Sequence, residues 1–245
     1  MSEFVKKTFS ALWRFVFANF ICIFALLIVS TLCTALLTKE IGYEAYGTIE
    51  GSEETVHLYT YYSEDGEDTQ KAEYEEQGYT VSTSDIRSDM TKSETILMHV
   101  ICQIVCICVT AYFLYPLLWH LGNKDYNRVH FGRIKEDKLR GAKIGLATLI
   151  PYFVLYLVLV VFALGAYKSF PLVIYRFVNA TFFSLLTGIF GSAATAGDLG
   201  IIRLLLTILP FAFIPLITGA AYLLGYKDIS ITEKLIYKNK KDRKK

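Results

Sequence analysis

Charged side chains are almost absent from four long stretches of this chain, and that absence is its most informative feature. The stretches are Phe15–Leu37, Ile96–Leu121, Ile144–Ala166 and Ile201–Leu224. Each is long enough, at a rise of ~1.5 Å per residue, to cross a hydrocarbon core of ~30 Å as a helix. A soluble domain would show apolar residues at helical or alternating spacing, without unbroken runs of this length. The sequence therefore predicts an all-α integral membrane bundle with four transmembrane helices.

Cysteine is missing from 39–93, the segment between the first two apolar runs, and all five cysteines lie inside apolar runs. This distribution gives no disulfide framework. Cys102 and Cys106 share a helix face, but Cys108 points roughly 160° away from Cys106 at ~100° per residue, so the three do not converge on a metal ion. We predict cysteines that pack as small apolar residues, with no metal site and no cofactor.

Catalytic signatures are missing as well. The sequence contains no HExxH, no GxSxG and no phosphate-binding glycine loop, so it offers no pattern typical of a zinc protease, a serine hydrolase or a nucleotide-binding enzyme. The apolar runs contain no pair of carboxylates for acid–base chemistry or proton coupling. We also find no internal repeat of the kind that transporters show. We therefore expect that the chain is not an enzyme.

The net charge of +2 hides a strong separation of charge along the chain. Residues 39–93 are acidic, whereas 122–143 and the tail 227–245 are rich in Lys and Arg. Short loops rich in Lys and Arg remain in the cytoplasm. Four crossings therefore place both termini and 122–143 in the cytoplasm, with 39–93 and 167–200 outside. No aromatic platform accompanies the basic tail, so nucleic acid is not predicted as a partner.

These patterns divide the chain into four predicted parts. They are an N-terminal segment with the first transmembrane helix (1–38), an acidic extracytoplasmic α/β insert (39–93), the other three transmembrane helices (94–226) and a basic cytoplasmic tail (227–245). The first apolar run is longer than the ~7–15 residues of a signal-peptide core, so we expect a retained anchor. The predicted location is the plasma membrane, and the abundance of Lys, Ile and Tyr fits a bacterial genome rich in A and T.

The segment 170–190 is apolar enough to form a fifth crossing. A fifth crossing would place the basic tail outside, against the charge rule. Pro171 suits the start of a helix. Polar and small residues such as Arg176 and Ser184 lie on one helical face, and apolar residues such as Leu172 lie largely on the other. We predict a helix that lies along the interface, or that dips into the membrane and returns.

The sequence of the acidic insert predicts a small fold that consists of a strand, a helix and a second strand. Thr55–Tyr62 and Tyr79–Ser84 are rich in β-branched and aromatic residues and predict the strands. Thr69–Gln77 has helical composition, and Gly78 lies where a glycine commonly ends a helix. The carboxylates and tyrosines make the insert a candidate site for a cation or a cationic peptide. A solvated acidic surface is the alternative.

A few ionisable and polar residues near the outer ends of the apolar runs form a candidate membrane-depth polar cluster. Its members are Arg176, Asn179, Asp198 and Arg203. Charged groups at membrane depth are costly and often mark functional sites. We expect an ion pair between Asp198 and one of the arginines, because pairing lowers that cost. Elsewhere in the runs, Asn19 and Gln103 are expected to hydrogen-bond between helices.

Small residues and prolines predict where helices approach closely and where they bend. Gly141 and Gly145 form a GxxxG pair, and Ala221 with Gly225 forms a similar small pair. Such pairs permit close packing of two helices. The prolines expected to bend the third and fourth runs are Pro151, Pro210 and Pro215.

The basic segment 122–143 is a candidate contact surface for anionic lipid or for a cytoplasmic partner. Its candidate residues are Lys124, Arg128, Arg133, Lys135, Lys138 and Arg140. We expect Asn123–Lys143 to form a short amphipathic helix, with Ile134 and Leu139 on the apolar side. A basic side chain near an anionic membrane surface gains ~1 kcal/mol. The alternative is that topology alone accounts for these charges.

The function that these patterns favour is a non-enzymatic accessory or scaffold subunit of a membrane complex. Its partners would be the lipid bilayer and another membrane protein, or a second copy of this chain. The alternative is a small transporter or channel subunit that becomes active as an oligomer, with a path lined by the candidate polar cluster. A membrane-embedded enzyme is the least favoured function, because it needs a polar constellation that the spacing does not reveal.

Overall fold

A computed structural model describes residues 3–49, 55–63 and 68–229. The insert's carboxylates at 50, 53, 54, 64, 65 and 67, and the tail beyond 229, therefore lie outside the described residues. The described chain is mostly helical with a small three-stranded sheet. It divides into two compact units. We call residues 28–98 the sheet unit, and residues 3–27 with 99–229 the helical unit.

Nine helices and three strands follow one another along the described part of the chain. They are α1 (Glu3–Leu37), β1 (Glu40–Ile49), β2 (Thr55–Tyr62), α2 (Gln70–Glu76), β3 (Tyr79–Arg87), α3 (Lys92–His130), α4 (Arg140–Thr148), α5 (Ile150–Val161), α6 (Leu172–Val178), α7 (Phe183–Phe190), α8 (Ile201–Leu206) and α9 (Phe213–Tyr226). A π-helical turn, Phe162–Ala166, extends α5. Short 3₁₀ turns lie at Ala180–Phe182, Ala196–Asp198 and Leu209–Ala212.

Several of these helices are long and apolar enough to cross a membrane. Among the described residues they are Glu3–Leu37, Lys92–His130 and Ile201–Tyr226. Two bent pairs raise the number of potential spans to as many as five. The α4–α5 pair bends by 44°, and α6 meets the Ala180–Phe190 segment at 104°. The bend near Pro151 agrees with the prediction, as does the start of α6 beside Pro171.

The sheet unit contains an antiparallel sheet with strand order β2–β1–β3. The predicted strand Thr55–Tyr62 is confirmed as β2, and β3 runs beyond its predicted end at Ser84. The predicted helix is α2, and Gly78 follows it with a φ of +87°. The prediction of only two strands was wrong, because β1 is the central strand and pairs with both others.

The strand β1 was missed because two glycines interrupt its alternating pattern. A close backbone contact requires the first glycine, because a Cβ on Gly42 would lie 2.0 Å from the Tyr61 carbonyl oxygen. A Cβ on Gly47 would lie 2.8 Å from the Leu58 side chain. Glycine inside a strand commonly marks such an approach, and it weakens the sequence signal of the strand.

Tyrosine rings cover one face of the sheet beneath α2. Tyr59 pairs with Ala45 of β1, and its ring stacks on Tyr74 of α2 with 5.6 Å between ring centroids. The Tyr43 and Tyr59 hydroxyl groups donate to Asp68, which also accepts the first backbone N–H of α2. Burial raises the pKa of Tyr59 above its usual value. Asp68 therefore attaches α2 to the sheet.

Close packing of α4 and α3 against α9 organises one end of the helical unit. A Cβ on Gly145 would lie 2.1 Å from the Thr218 Oγ1 atom, and one on Gly141 would lie 2.3 Å from the Tyr222 Cβ. A Cβ on Gly225 would lie 2.0 Å from the Trp119 carbonyl oxygen. The predicted small-residue positions are thus confirmed as points where α9 approaches its neighbours at backbone distance.

The connection between α3 and α4 differs from the prediction. We expected Asn123–Lys143 to form a separate amphipathic helix, and this was wrong. The helix α3 continues to His130, and α4 begins at Arg140, so that only residues 131–139 connect them. The physical reason is the buried Asp125 in the extension of α3, which is bonded to side chains of α4 and α9.

Candidate functional site

A sharp helix break separates α6 from α7 in the helical unit. Asn179 ends α6 with φ −108° and ψ 45°, and the 3₁₀ turn Ala180–Phe182 leads into α7 at a sharp angle. Ala180, Thr181 and Phe182 are all buried. A break inside a helix leaves N–H and C=O groups without their usual partners, and a buried group without a partner is costly.

Two carboxamide side chains from other helices bond to the freed backbone groups. The Thr181 N–H donates to Asn19 Oδ1 at 2.9 Å. Gln103 Nε2 donates to the Thr181 carbonyl oxygen at 2.9 Å, and Gln103 Oε1 accepts the Leu185 N–H at 3.1 Å. Asn19 also donates from Nδ2 to the Tyr152 hydroxyl at 2.9 Å. The prediction that Asn19 and Gln103 bond between helices is therefore confirmed, with backbone atoms as the main partners.

Hydroxyl and thiol groups complete this arrangement, which we call the polar centre. Its members are Asn19, Cys22, Gln103, Thr110 and Thr181, and all five are buried. The Thr110 and Thr181 hydroxyl oxygens lie 3.0 Å apart. The Cys22 thiol donates to the Cys106 carbonyl oxygen at 3.6 Å. Every one of these groups has a protein partner, so the polar centre is suited to holding α1, α3 and the broken segment together.

The predicted polar cluster divides into three separate arrangements, formed by the two arginines, by Asn179 and by Asp198. Arg203 donates to the Phe190 carbonyl oxygen at 2.9 Å, and Arg176 donates to the Ala193 carbonyl oxygen at 3.3 Å. Both arginines thus meet at the end of α7, where helix carbonyls concentrate partial negative charge. Asn179 is buried and donates to the carbonyl oxygen of the residue four positions earlier in its own helix.

The expected ion pair between Asp198 and an arginine was wrong. Asp198 Oδ2 accepts the Thr195 N–H at 2.9 Å and the Thr195 hydroxyl at 2.8 Å, in a capping box at a 3₁₀ turn. Among the described residues no ion pair joins Asp198 to Arg176 or Arg203. The Thr195 N–H and hydroxyl groups hold the pKa of Asp198 below its usual range.

Asp125 is a buried charge that sequence reasoning missed. Its side chain is 1% exposed, and its Oδ2 atom accepts bonds from Arg140 at 2.7 Å and from the Tyr222 hydroxyl at 3.1 Å. Arg128 lies 3.9 Å from its other oxygen. The signal in the sequence was an acidic residue within the strongly basic segment 122–143, three positions before an arginine. A buried carboxylate requires such partners to offset its lost hydration.

The candidate lipid-contact residues differ in how far their charge is neutralised within the chain. Arg140 pairs with Asp125, whereas Lys124 and Arg128 pair with Glu3. Lys138 lies 3.4 Å from Glu136. Within the described residues, the two remaining cations form no ion pair. These are Arg133, whose guanidinium lies over the Phe131 ring, and Lys135.

An exposed row of aromatic rings runs along α1, and we call it the aromatic stripe. Its members and their exposed fractions are Phe9 (65%), Trp13 (68%), Phe17 (47%), Phe20 (54%) and Phe24 (50%). At ~100° per residue the five lie within an arc of about 80°. The opposite face of α1 holds the buried residues Ala11, Phe15, Ala18 and Cys22. The four-and-three spacing of these aromatics was a signal in the sequence that we did not use.

The neighbouring helix α3 extends the aromatic stripe sideways. Phe113 packs edge-on against Phe17 with 5.3 Å between ring centroids, and Tyr112 beside it is 74% exposed. Arg14 donates to the Phe113 carbonyl oxygen at 3.1 Å, which bonds the two helices at this level. The two helices therefore present one continuous aromatic surface.

Metal-ligating side chains do not converge in the part of the chain that the structure describes. No group of three or more His, Cys, Asp or Glu residues there is arranged to hold a metal ion. No protein-family model, no curated protein and no solved structure matches this chain. The arrangements that bear on function are thus the polar centre, the Asp125 contacts and the aromatic stripe.

Proposed function

We propose that this chain is a multi-pass membrane protein that acts as a non-enzymatic scaffold or accessory subunit of a membrane complex. The observation that carries the proposal is the aromatic stripe, which remains exposed along α1. Only 11% of the most apolar window of α1 is buried, compared with 33% for the Ile201–Tyr226 segment. The proposed occupant of the stripe is a transmembrane helix of another membrane protein.

The physical properties of the aromatic stripe suit a helical partner. Lipid tails are as apolar as side chains, so helices associate in a bilayer through close packing rather than through hydrophobic burial. Aromatic rings give large, rigid contact surfaces and are enriched in protein interfaces. From Phe9 to Phe24 the stripe extends for ~22 Å at ~1.5 Å per residue, which is most of a ~30 Å hydrocarbon core.

The proposed topology has four crossings, with α6 and α7 forming a re-entrant element. The 104° angle at Asn179 supports a segment that enters and returns. The bonds from Asn19 and Gln103 support it as well, because non-helical backbone is tolerated inside a bilayer only where protein or water covers it. The separation of acidic and basic segments supports a plasma-membrane protein with both termini cytoplasmic and the acidic insert outside.

A set of matched variants tests the scaffold function. The variant Trp13→Leu/Phe17→Leu/Phe20→Leu removes three rings of the stripe and keeps the helix apolar. The control Phe131→Leu/Phe177→Leu/Phe213→Leu removes three exposed rings that lie elsewhere in the chain. The chain is purified in mild detergent at its native expression level, and the recovered proteins are quantified by mass spectrometry.

We expect the wild type and the control to recover a membrane protein in stoichiometric amount, and the stripe variant to lose it. Recovery of the wild-type chain alone would contradict the scaffold function. Equal recovery of the partner with the stripe variant and the control would assign the docking surface to another face. All three proteins should be inserted in the membrane to the same extent, because leucine is as apolar as the rings that it replaces.

A transporter or channel subunit is the rival function, and the geometry supports it less well. It requires a water-accessible path lined by the four residues of the predicted polar cluster. Asn179 is 1% exposed, and Asp198 is bonded to Thr195. Cysteine substitutions at Arg176 and Arg203 that react with impermeant reagents, in competition with a transported ion, would favour the rival.

A further inference from the structure

The third and fourth apolar segments diverge beyond their tightly packed end and leave an apolar groove. Gly145 holds α4 at backbone distance from α9. Beyond it the third apolar segment bends by 44° between α4 and α5, and on the other side the 3₁₀ turn Leu209–Ala212 replaces regular helix. The groove has a volume of about 400 Å³. Its lining includes Leu146, Ile150, Phe153, Val154, Phe211 and Ala212.

The groove is open along its side and is lined by apolar side chains. Leu146, Ile150, Phe153 and Val154 are exposed by 60%, 61%, 46% and 53%. In the topology proposed above, this open side faces the hydrocarbon of the bilayer. We propose that the groove binds one acyl chain of an anionic phospholipid. The inference rests on the membrane location of the chain, but it is independent of the scaffold function.

The dimensions of the groove suit a single acyl chain. From Leu146 to Val154 the wall extends for ~12 Å at ~1.5 Å per residue. The groove offers about 400 Å³, which falls within the ~300–1,000 Å³ typical of small-ligand pockets. A single extended hydrocarbon chain is thin enough to lie within it.

Charge at the same end of the groove favours an anionic headgroup. Lys143 lies one helical turn before Leu146 on α4 and is exposed. Residues 133–143 contain five cations, of which Lys138, Lys143 and Arg140 pair with Glu136, Asp137 and Asp125, so an excess of two positive charges remains. Arg133 and Lys135 make no carboxylate contact in the described part of the chain. A lipid with its chain in the groove would therefore have its headgroup close to an excess of positive charge.

Lipid retention tests this inference on the full chain. The protein is reconstituted into vesicles of equal parts phosphatidylglycerol and phosphatidylcholine and re-extracted in mild detergent, and bound lipid is counted by native mass spectrometry. We expect one retained phosphatidylglycerol per chain, in at least fivefold excess over phosphatidylcholine. Ala212→Phe fills the groove and should lower retention at least fivefold. Ala220→Phe makes the same change at an exposed alanine of α9 outside the groove and should retain the lipid.

Two further variants keep the result decisive. Ile150→Trp fills the groove from the other wall and replaces Ala212→Phe if that variant does not fold. Arg133→Gln/Lys135→Gln should bring the ratio of the two lipids toward one while leaving the total retained lipid unchanged. Equal retention of both lipids by the wild type, or equal retention by both alanine variants, would overturn the inference.

The same experiment separates the groove from the scaffold function. If Ala212→Phe keeps its lipid but loses a co-purifying protein, the groove belongs to a protein helix and the inference is overturned. If the stripe variant loses the partner while lipid retention is unchanged, the two surfaces act independently, as we expect. A chain that alkaline carbonate removes from membranes would overturn the membrane location itself.

Discussion

Asn19 Oδ1 accepts the backbone N–H of Thr181 at 2.9 Å, across 162 positions of sequence. The bond joins the buried face of α1 to the break between α6 and α7. It stabilises the break, because a helix break removes intrahelical hydrogen-bond partners and this bond gives the Thr181 N–H a partner. Gln103 does the same from α3. The break is thus held by side chains of two distant helices.

Replacing Asn19 by Leu, a side chain of similar size, should destabilise the helical unit by about 1–2 kcal/mol. The Thr181 N–H and the Tyr152 hydroxyl would each lose a buried partner. Denaturation in detergent, with hydrogen exchange at Thr181, measures the effect. Asn127→Leu is the control, because that exposed carboxamide bonds only within its own helix. A similar loss of stability in both variants would contradict the assigned role.

Gly145→Ala should destabilise the packing of α4 on α9 by about 1–3 kcal/mol. The added methyl group would lie 2.1 Å from the Thr218 Oγ1 atom, so one helix has to move. Gly188→Ala is a matched control within a helix, because a Cβ there meets no atom within 4 Å. The control should be neutral or more stable by about 0.5–1 kcal/mol, since alanine favours a helix. Thermal unfolding in detergent compares them, and equal melting temperatures would refute the close contact.

Asp125→Ala should lower the free energy of unfolding by about 3 kcal/mol, because it removes the buried carboxylate that Arg140 contacts at 2.7 Å. Asp137→Ala removes a carboxylate that pairs with the exposed Lys143 at 2.8 Å. Loss of that exposed pair should lower the free energy of unfolding by about 0–1 kcal/mol. Chemical denaturation of both variants measures the contrast. Equal losses would mean that burial does not distinguish the two ion pairs.

The turn at Thr195 should loosen in acid. The pKa of Asp198 is lowered from its usual 3.8 because the ionised carboxylate accepts the Thr195 bonds. The stabilisation is therefore present above the usual pKa and is lost as the pH falls below 3.8 and through the lowered pKa. Hydrogen exchange at the Thr195 amide should rise over that range, relative to its intrinsic rate.

The matched control for this pH dependence is Asp198→Asn. In that variant the Thr195 amide should be poorly protected at every pH, because the neutral amide is a weaker acceptor than the carboxylate. The Leu204 amide, which bonds to the Gly200 carbonyl oxygen in α8, is an internal reference. A Thr195 amide whose protection does not change with pH would show that the capping box does not hold the turn.

The acidic insert shows which elements local sequence patterns can predict and which they cannot. Thr55–Tyr62 and the helix ended by Gly78 were predictable, because strand composition and a helix-ending glycine are local signals. The strand β1 was not, because Gly42 is explained only by the Tyr61 carbonyl oxygen that approaches it from β2. A strand that contains glycine because a neighbouring strand lies close to it cannot be recognised from its own composition.

The broken segment 170–190 shows the same limit in the helical unit. Its composition is that of a two-sided helix, and Pro171 correctly marks the start. The break at Asn179 depends on acceptors and donors supplied by α1 and α3. The ion pair expected for Asp198 was wrong for a related reason, since Thr195 in its own turn is a nearer partner than either arginine.

The sequence by itself determined the apolar lengths, the separation of charge and the small residues at helix contacts, because these follow from hydrophobicity, charge and side-chain volume read along the chain. Only the tertiary structure decided where polar atoms find partners: Asn19 at the break, Asp125 beside Arg140, and the aromatic rings of α1 left uncovered. The physical reason is that a hydrogen bond or a ring contact depends on distances of a few ångströms between residues far apart in sequence. Such distances exist only once the helices are packed.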